Sequence, residues 1–369
     1  MDFLPIEVQI DILKYLNFNQ LISMQQTNSY FNHLINDNEN QLARKKFSFI
    51  RFTSVYRIDF GLLIFIFQLL DIEILMYKCK PFNPEPELYE FELSEELEEK
   101  WKCGIEKSMP LFFVDDVEGY GQVACILNKN FGDERSFWDD SIDDYNTLSI
   151  EFLLPIVPKN IKEMKIARYF FEQLFTCAFK DANFYNVIFN PQMLELLFDD
   201  NKARIPLTVH SHESRLIKFL DTSISLKFVL NHMRSYHFIS NFGATNDDND
   251  QTIEILFNIL KNGGNIFYRI SYDNRHSLKL YNLIIKHIET SQNLSKMVKE
   301  LNLSFTREPI ISKTAENIEI NVGGNNLKTT KYQLSNKHNP EIKFSVFVRE
   351  VGFRELGNTR FDVNFKRIA

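Results

Sequence analysis

From about residue 160 onward, extended and helical runs alternate, and this alternation constrains the fold more than any other feature of the chain. The extended runs are 162–166, 184–189, 205–209, 235–239, 266–270 and 300–305. The helical runs between them are 169–179, 193–198, 226–233, 253–261 and 278–290. Strand centres recur roughly every 20 to 35 residues, a spacing that suits stacked strand–helix units. Strands alternating with helices favour a parallel sheet.

Two α/β architectures satisfy that pattern. The first is a leucine-rich-repeat-like α/β horseshoe, and the second is a doubly wound parallel-sheet domain. The repeat-like α/β region is expected over 111–310. Beyond it the pattern changes. Residues 317–322, Gly323-Gly324 and 327–334 read as a hairpin, and 342–348 and 361–365 alternate as half-buried strands. An antiparallel β cap over 311–369 is therefore expected, because a bare terminal unit of an array exposes its core. Upstream, 45–80 reads as helical and apolar, and Pro81, Pro84 and Pro86 break that run. An acidic stretch through Trp101 reads as a helix on Leu88, Phe91 and Leu97, so 45–110 is expected to be a helical linker region.

The first forty residues carry a different signal. In Leu4-Pro-Ile-Glu-Val-Gln-Ile-Asp-Ile-Leu-Lys-Tyr-Leu16, Pro5 suits a first helical turn and Glu7 suits the positive end of the helix dipole. Val8, Ile12 and Tyr15/Leu16 form an apolar stripe at helical spacing. A second helix carries Leu21, Ile22 and Met24, and a third, from about Ser29, carries Tyr30, Phe31, Leu34 and Ile35. Three such short helices bury little on their own, so part of their apolar surface should meet another protein or the rest of the chain.

Leu4-Pro5, Glu7-Val8, Ile12-Leu13, Leu16, Leu21 and Phe31-x-x-Leu34 stand in the register of the F-box, which this segment resembles over residues 2–44. It departs from the family at Thr27-Asn28-Ser29, where many F-boxes carry Val-Cys-Arg. The resemblance implies a three-helix F-box that docks on the Skp-type adaptor of a cullin-RING (SCF) ubiquitin ligase. The family's contact positions fall on Leu4, Pro5, Glu7, Val8, Ile12, Leu13, Leu16 and Leu21. It also implies a substrate receptor that brings an unidentified protein target to the ligase. The chain also resembles nematode F-box proteins with a repeat-like C-terminal region. A scaffold using the same face outside a ligase is the alternative.

Composition narrows the remaining classes. A net charge of −7 argues against a general nucleic-acid partner. The apolar run from Phe60 to Leu70 is about eleven residues, short of the roughly twenty that span a bilayer, so no membrane partner is expected. Acidic residues within the first apolar stretch, Glu7 and Asp11, do not suit a secretory leader. Cys79, Cys103, Cys125 and Cys177 are widely spaced and read as reduced thiols of a cytoplasmic or nuclear protein.

No catalytic motif is expected. His210 and His212 share a strand face but lack further metal ligands. Gly119-Tyr-Gly121 is too short to cradle phosphate, and the acidic pairs Asp115-Asp116 and Asp139-Asp140 read as solvated loops. The expectation is a non-enzyme with no metal and no cofactor. The exposed aromatics of its target-reading face are sought among Tyr185, Tyr236, Tyr268 and Tyr272.

Overall fold

A computed structural model describes residues 4–16, 20–21, 24, 27, 29–38, 42, 44–56, 80–81, 84–114, 120–128, 149–199, 207–217, 222–241, 250–276, 278–305, 307–323, 328–352 and 359–368. The chain divides into two compact units. Unit 1 comprises Met1–Ala182 and Val187–His210, and unit 2 comprises Asn183–Asn186 and Ser211–Ala369.

Unit 1 opens with helices α1 (Ile6–Leu13) and α2 (Ser29–Asp37). Gln20, Leu21 and Met24 are helical between them, while the rest of the expected second helix lies outside the described residues. Strand β1 (Lys45–Tyr56) follows. The sequence pattern predicts helix there, but Phe, Ile, Thr, Val and Tyr dominate the segment, and these residues fit a pleated, half-buried surface. The remaining 57–79 of that expected helix lies outside the described residues. Next come β2 (Lys80–Pro81), α3 (Pro86–Tyr89), α4 (Glu95–Glu106), β3 (Phe112–Val114), β4 (Tyr120–Asn128) and β5 (Ser149–Pro155). Then follow α5 (Ile161–Phe175), β6 (Cys177–Tyr185), β7 (Val187–Phe189) and α6 (Pro191–Leu197).

The sheet of unit 1 runs β6-β1-β4-β5-β2. β1–β4 and β4–β5 are antiparallel, which corrects the parallel sheet expected from residue 111 onward. β3 and β7 form a separate antiparallel pair. Helix α5 replaces the extended run expected at 162–166. Asn160 Oδ1 accepts the Glu163 N–H at 2.9 Å, and Glu163 Oε2 accepts the Lys159 N–H at 2.7 Å, a reciprocal cap that starts the helix. Its buried Met164, Ala167, Phe171, Leu174 and Phe175 recur at helical spacing. Phe171 and Phe175 enter a cluster with Phe52, Phe112, Phe170 and Phe189, with ring centroids 4.9–6.4 Å apart.

Unit 2 contains β8 (Val209–Ile217), α7 (Thr222–His232), β9 (Met233–Asn241), α8 (Asp250–Asn262), a 3-10 turn (Gly263–Asn265), β10 (Phe267–His276), α9 (Leu278–Thr290) and β11 (Glu300–Phe305). The meander β12 (Glu316–Val322), β13 (Lys328–Ser335), β14 (Lys343–Gly352) and β15 (Thr359–Arg367) closes it. Its strands run β12-β13-β14-β15-β11-β10-β9-β8. β9, β10 and β11 are parallel neighbours in chain order, and β15, β14, β13 and β12 add antiparallel. The sheet of unit 2 is therefore mixed, with the C-terminal strands continuing it antiparallel beyond β11. α8 packs beside both α7 and α9.

Side chains alternate across each strand, so the two faces of this sheet differ. Leu301, Leu303 and Phe305 of β11 and Val363 and Phe365 of β15 are buried. Tyr281 of α9 lies 5.8 Å from both Phe305 and Phe365. Glu300, Asn302 and Ser304, with Asp362 and Asn364, alternate with them and therefore line the opposite face.

Candidate functional site

Two surfaces carry the features of a working site. The first is the N-terminal helical module. Leu13, Leu21, Phe31, Leu34, Ile35 and Leu42 form its interior, with Ile10, Leu16 and Met24 packed against them. Gln9 is buried as well. Its Nε2 donates to the Leu4 carbonyl at 2.8 Å, and its Oε1 accepts from the Tyr30 hydroxyl at 3.0 Å. These bonds fix the start of α1 against α2. Leu4, Ile6 and Val8 are exposed, as are Pro5 and Glu7, and Tyr15 and Tyr30 add exposed aromatic surface.

The structure thus separates the eight residues singled out in the sequence. Leu4, Pro5, Glu7 and Val8 are on the surface, Ile12 and Leu16 are half-buried, and Leu13 and Leu21 are interior. For the last two, the available role is to support the module from within. Ile6, Tyr15 and Tyr30 are further exposed groups outside those eight. The signal for Ile6 was its place inside the exposed Leu4–Val8 run.

The second surface is the polar face of the unit 2 sheet. Glu213 of β8, His237 of β9, Ser271 of β10, Asn302 of β11 and Asn364 of β15 form one connected chain. His237 Nδ1 lies 3.3 Å from Glu213 Oε2, and His237 Nε2 lies 2.8 Å from Ser271 Oγ. Asn302 Nδ2 donates to Ser271 Oγ at 3.1 Å. Asn364 Nδ2 donates to Asn302 Oδ1 at 2.6 Å and to Glu300 Oε1 at 3.2 Å. Arg269 pairs with Glu300 at 2.9 Å, and Arg215 pairs with Glu213 at 2.7 Å. The His237 hydrogen bond, opposed by partial burial and joined by Arg215, holds the Glu213 carboxyl down at about 2. Glu213 is therefore ionised at neutral pH.

At alternate positions of the neighbouring strands, whose side chains point to the other face, an aromatic ladder crosses β8, β9 and β10. His212 stacks on Tyr236 with centroids 5.1 Å apart, Tyr236 stacks on Tyr268 at 4.7 Å, and Lys299 Nζ lies 5.5 Å from the Tyr268 ring centre. Tyr236 is exposed and Tyr268 half-exposed, whereas Tyr272 is buried and Tyr185 half-buried. Of the four tyrosines, the structure brings Tyr236 and Tyr268 together. The histidine pair separates: His210 bonds Thr208, and His212 joins the ladder. Among the described residues no cluster of His, Cys, Asp and Glu could hold a metal ion, and no helix is long and apolar enough to cross a membrane. Cys125 and Cys177 are buried and Cys103 is exposed, all three as free thiols.

Comparison with known proteins bears on both halves of the chain. Residues 82–243 match a domain of unknown function (DUF8381), which takes in α3, α4, the Phe cluster apart from Phe52, and the strands from β3 to β9. No curated protein and no solved structure matches the chain. Residues 1–47, which hold the exposed Leu4–Val8 run and the interior beneath it, match the F-box-like family, so the chain begins with an F-box-like domain.

Proposed function

We propose that the chain is a substrate adaptor whose N-terminal F-box-like domain docks on the Skp-type subunit of a cullin-RING (SCF) ubiquitin ligase. The observation that carries this reading is the exposure of Leu4, Pro5, Ile6 and Val8 on a module whose own interior is complete without them. Exposed apolar side chains in one run mark an association surface. Tyr15 and Tyr30 extend it. Catalysis then belongs to other ligase subunits, and this chain contributes proximity between target and ligase.

The target is a protein held by unit 2. The side-by-side strand–helix succession β9-α8-β10-α9-β11 supports a leucine-rich-repeat-like organisation of that reader, and the Tyr236–Tyr268 ladder supplies exposed aromatic area. Aromatic side chains are enriched where proteins bind one another. The cytoplasm or nucleus is the compartment this role requires, and the likeness to nematode F-box proteins belongs to the same reading.

A pull-down of the full chain with the Skp-type adaptor tests the reading. The intact chain should bind, and Leu4→Ala with Val8→Ala should weaken binding at least tenfold without unfolding the module. Leu13→Ala should instead destabilise the module, since Leu13 is fully buried. Failure of the intact chain to bind sinks the proposal.

A further inference from the structure

The hydrogen-bond chain on the polar face of unit 2 has a direction, set by the amide and carboxylate groups at its ends and by the neutral tautomer of His237. Glu300 is an acceptor paired with Arg269, so the Asn364 group 3.2 Å away must be its NH2. That same NH2 reaches Asn302, which must therefore present its oxygen there. The Asn302 amide nitrogen is left to face Ser271 Oγ at 3.1 Å. Ionised Glu213 can only accept, so the neutral His237 ring carries its proton on Nδ1, 3.3 Å from Glu213 Oε2, and its Nε2 accepts the Ser271 hydroxyl proton across 2.8 Å. Arg215 on the other oxygen of Glu213 keeps that carboxylate charged.

We infer that Glu213, His237 and Ser271 form an acid–histidine–serine relay that makes Ser271 a nucleophile toward acyl esters, with the Asn302 amide receiving the oxyanion. Such relays are recognised by geometry and by the role of each group, and they recur on unrelated folds. The three residues here sit on three adjacent strands. Ser271 and His237 are the catalytic residues, and Glu213 is a positioning residue that sets the tautomer of His237. Ser271 is 8% exposed and the His237 side chain 15%, so the relay lies just beneath the surface.

In the reaction, Oγ bonds to the ester carbonyl carbon while its proton moves to His237 Nε2. The carbonyl electron pair moves onto oxygen, beside Asn302 Nδ2. Collapse breaks the bond to the leaving alkoxide, which takes the proton back from Nε2 and leaves an acyl-serine. Water repeats the sequence and frees the acid. Ser271 pairs in the ladder with both Ile239 and Asn302, so one side-chain amide supplies the oxyanion stabilisation. Covalent capture of the acylated serine is the direct readout.

The test treats the full chain with an alkynyl fluorophosphonate and maps the modified peptide by mass spectrometry. In that capture the Oγ–P bond forms, the P–F bond breaks, fluoride leaves and the serine proton passes to His237. Labelling is expected at Ser271 and absent in Ser271→Ala. His237→Gln should slow it about a hundredfold, the scale of a lost general base. Glu213→Gln should slow it too, and Glu213→Asp should restore part of the rate, which a purely structural carboxylate would not do. Thermal unfolding checks that each variant is folded, and the unsubstituted chain decides the matter alone. No capture at Ser271 in the folded chain overturns the inference, as does capture elsewhere only or an unchanged rate in folded His237→Gln.

Discussion

Glu213 and Phe171 stabilise the chain in opposite ways, one by charge and one by volume. The Glu213 carboxyl sits at about 2 in the folded protein against an ordinary 4.5. Between those values the unfolded chain binds more protons, so stability rises with pH. The contribution is fully present above about 4.5 and is lost as pH falls toward 2. Glu213→Gln should therefore be less stable than the parent at pH 7, with the gap closing between pH 4.5 and 2, as read by urea unfolding across pH. A gap independent of pH would refute the assignment. Phe171 is fully buried among Phe112, Phe170, Phe175 and Phe189, so Phe171→Ala leaves a cavity. A loss of about 3–5 kcal/mol is expected by denaturant unfolding. These two residues also differ in legibility. Phe171 sits in an apolar periodicity visible in the chain. Glu213, His237 and Ser271 are far apart in sequence and meet only because β8, β9 and β10 align in register, so no motif could disclose them.

Elements were legible where pattern and capping agreed. α9 and β11 fall where the sequence placed them, since one has a clean 3.6-residue stripe and the other a short alternating run. α5 was misread as extended over 162–166, although Asn160 and Glu163 already spell a helix start. β1 (KKFSFIRFTSVY) departs from the helix expected there because Phe, Ile, Thr, Val and Tyr interleaved with polar residues fit a half-buried strand. Junctions carry constraints that the pattern omits. At the turn between α8 and β10, a Cβ on Gly264 would lie 2.6 Å from the Met297 carbonyl and 2.7 Å from that of Lys296. Both are backbone atoms, and the Gly264 N–H bonds Lys296 O at 2.8 Å. Gly264→Ala should cost about 1–3 kcal/mol, the range for forced overpacking. Gly121 in β4 is exposed and its Cβ would meet nothing within 4 Å. Gly121→Ala should be neutral or stabilising by up to about 1 kcal/mol. Thermal melts of the two variants, compared side by side, check both expectations.

At the scale of the whole molecule, the division between compact units runs through residues 183–210, inside a stretch that the strand–helix alternation presents as uninterrupted. Alternation reports local structure, whereas the grouping of elements depends on which strands pair, and pairing is not written in the period. The C-terminal meander illustrates the other side. Its antiparallel strands were legible, but the exposure of its last member was not. β12 ends the strand order of unit 2, and every residue of it is exposed, including Ile318 (49%), Ile320 (53%) and Val322 (65%). It carries neither Lys nor Pro, residues that usually blunt a sheet edge. Paired antiparallel with a second copy and centred on Ile320, the strand sets Ile320 opposite Ile320, Ile318 opposite Val322 and Glu319 opposite Asn321, with no like charges facing. The net charge of −7 opposes encounter at low salt, and a Debye length of about 8 Å at 0.15 M screens it. The chain should therefore self-associate more as ionic strength rises, as read by sedimentation velocity at tens of micromolar. Ile320→Lys should suppress that association while changing folding stability by less than about 0.5 kcal/mol, as befits an exposed site. Association that survives Ile320→Lys, or that weakens with added salt, would place the contact elsewhere on the molecule.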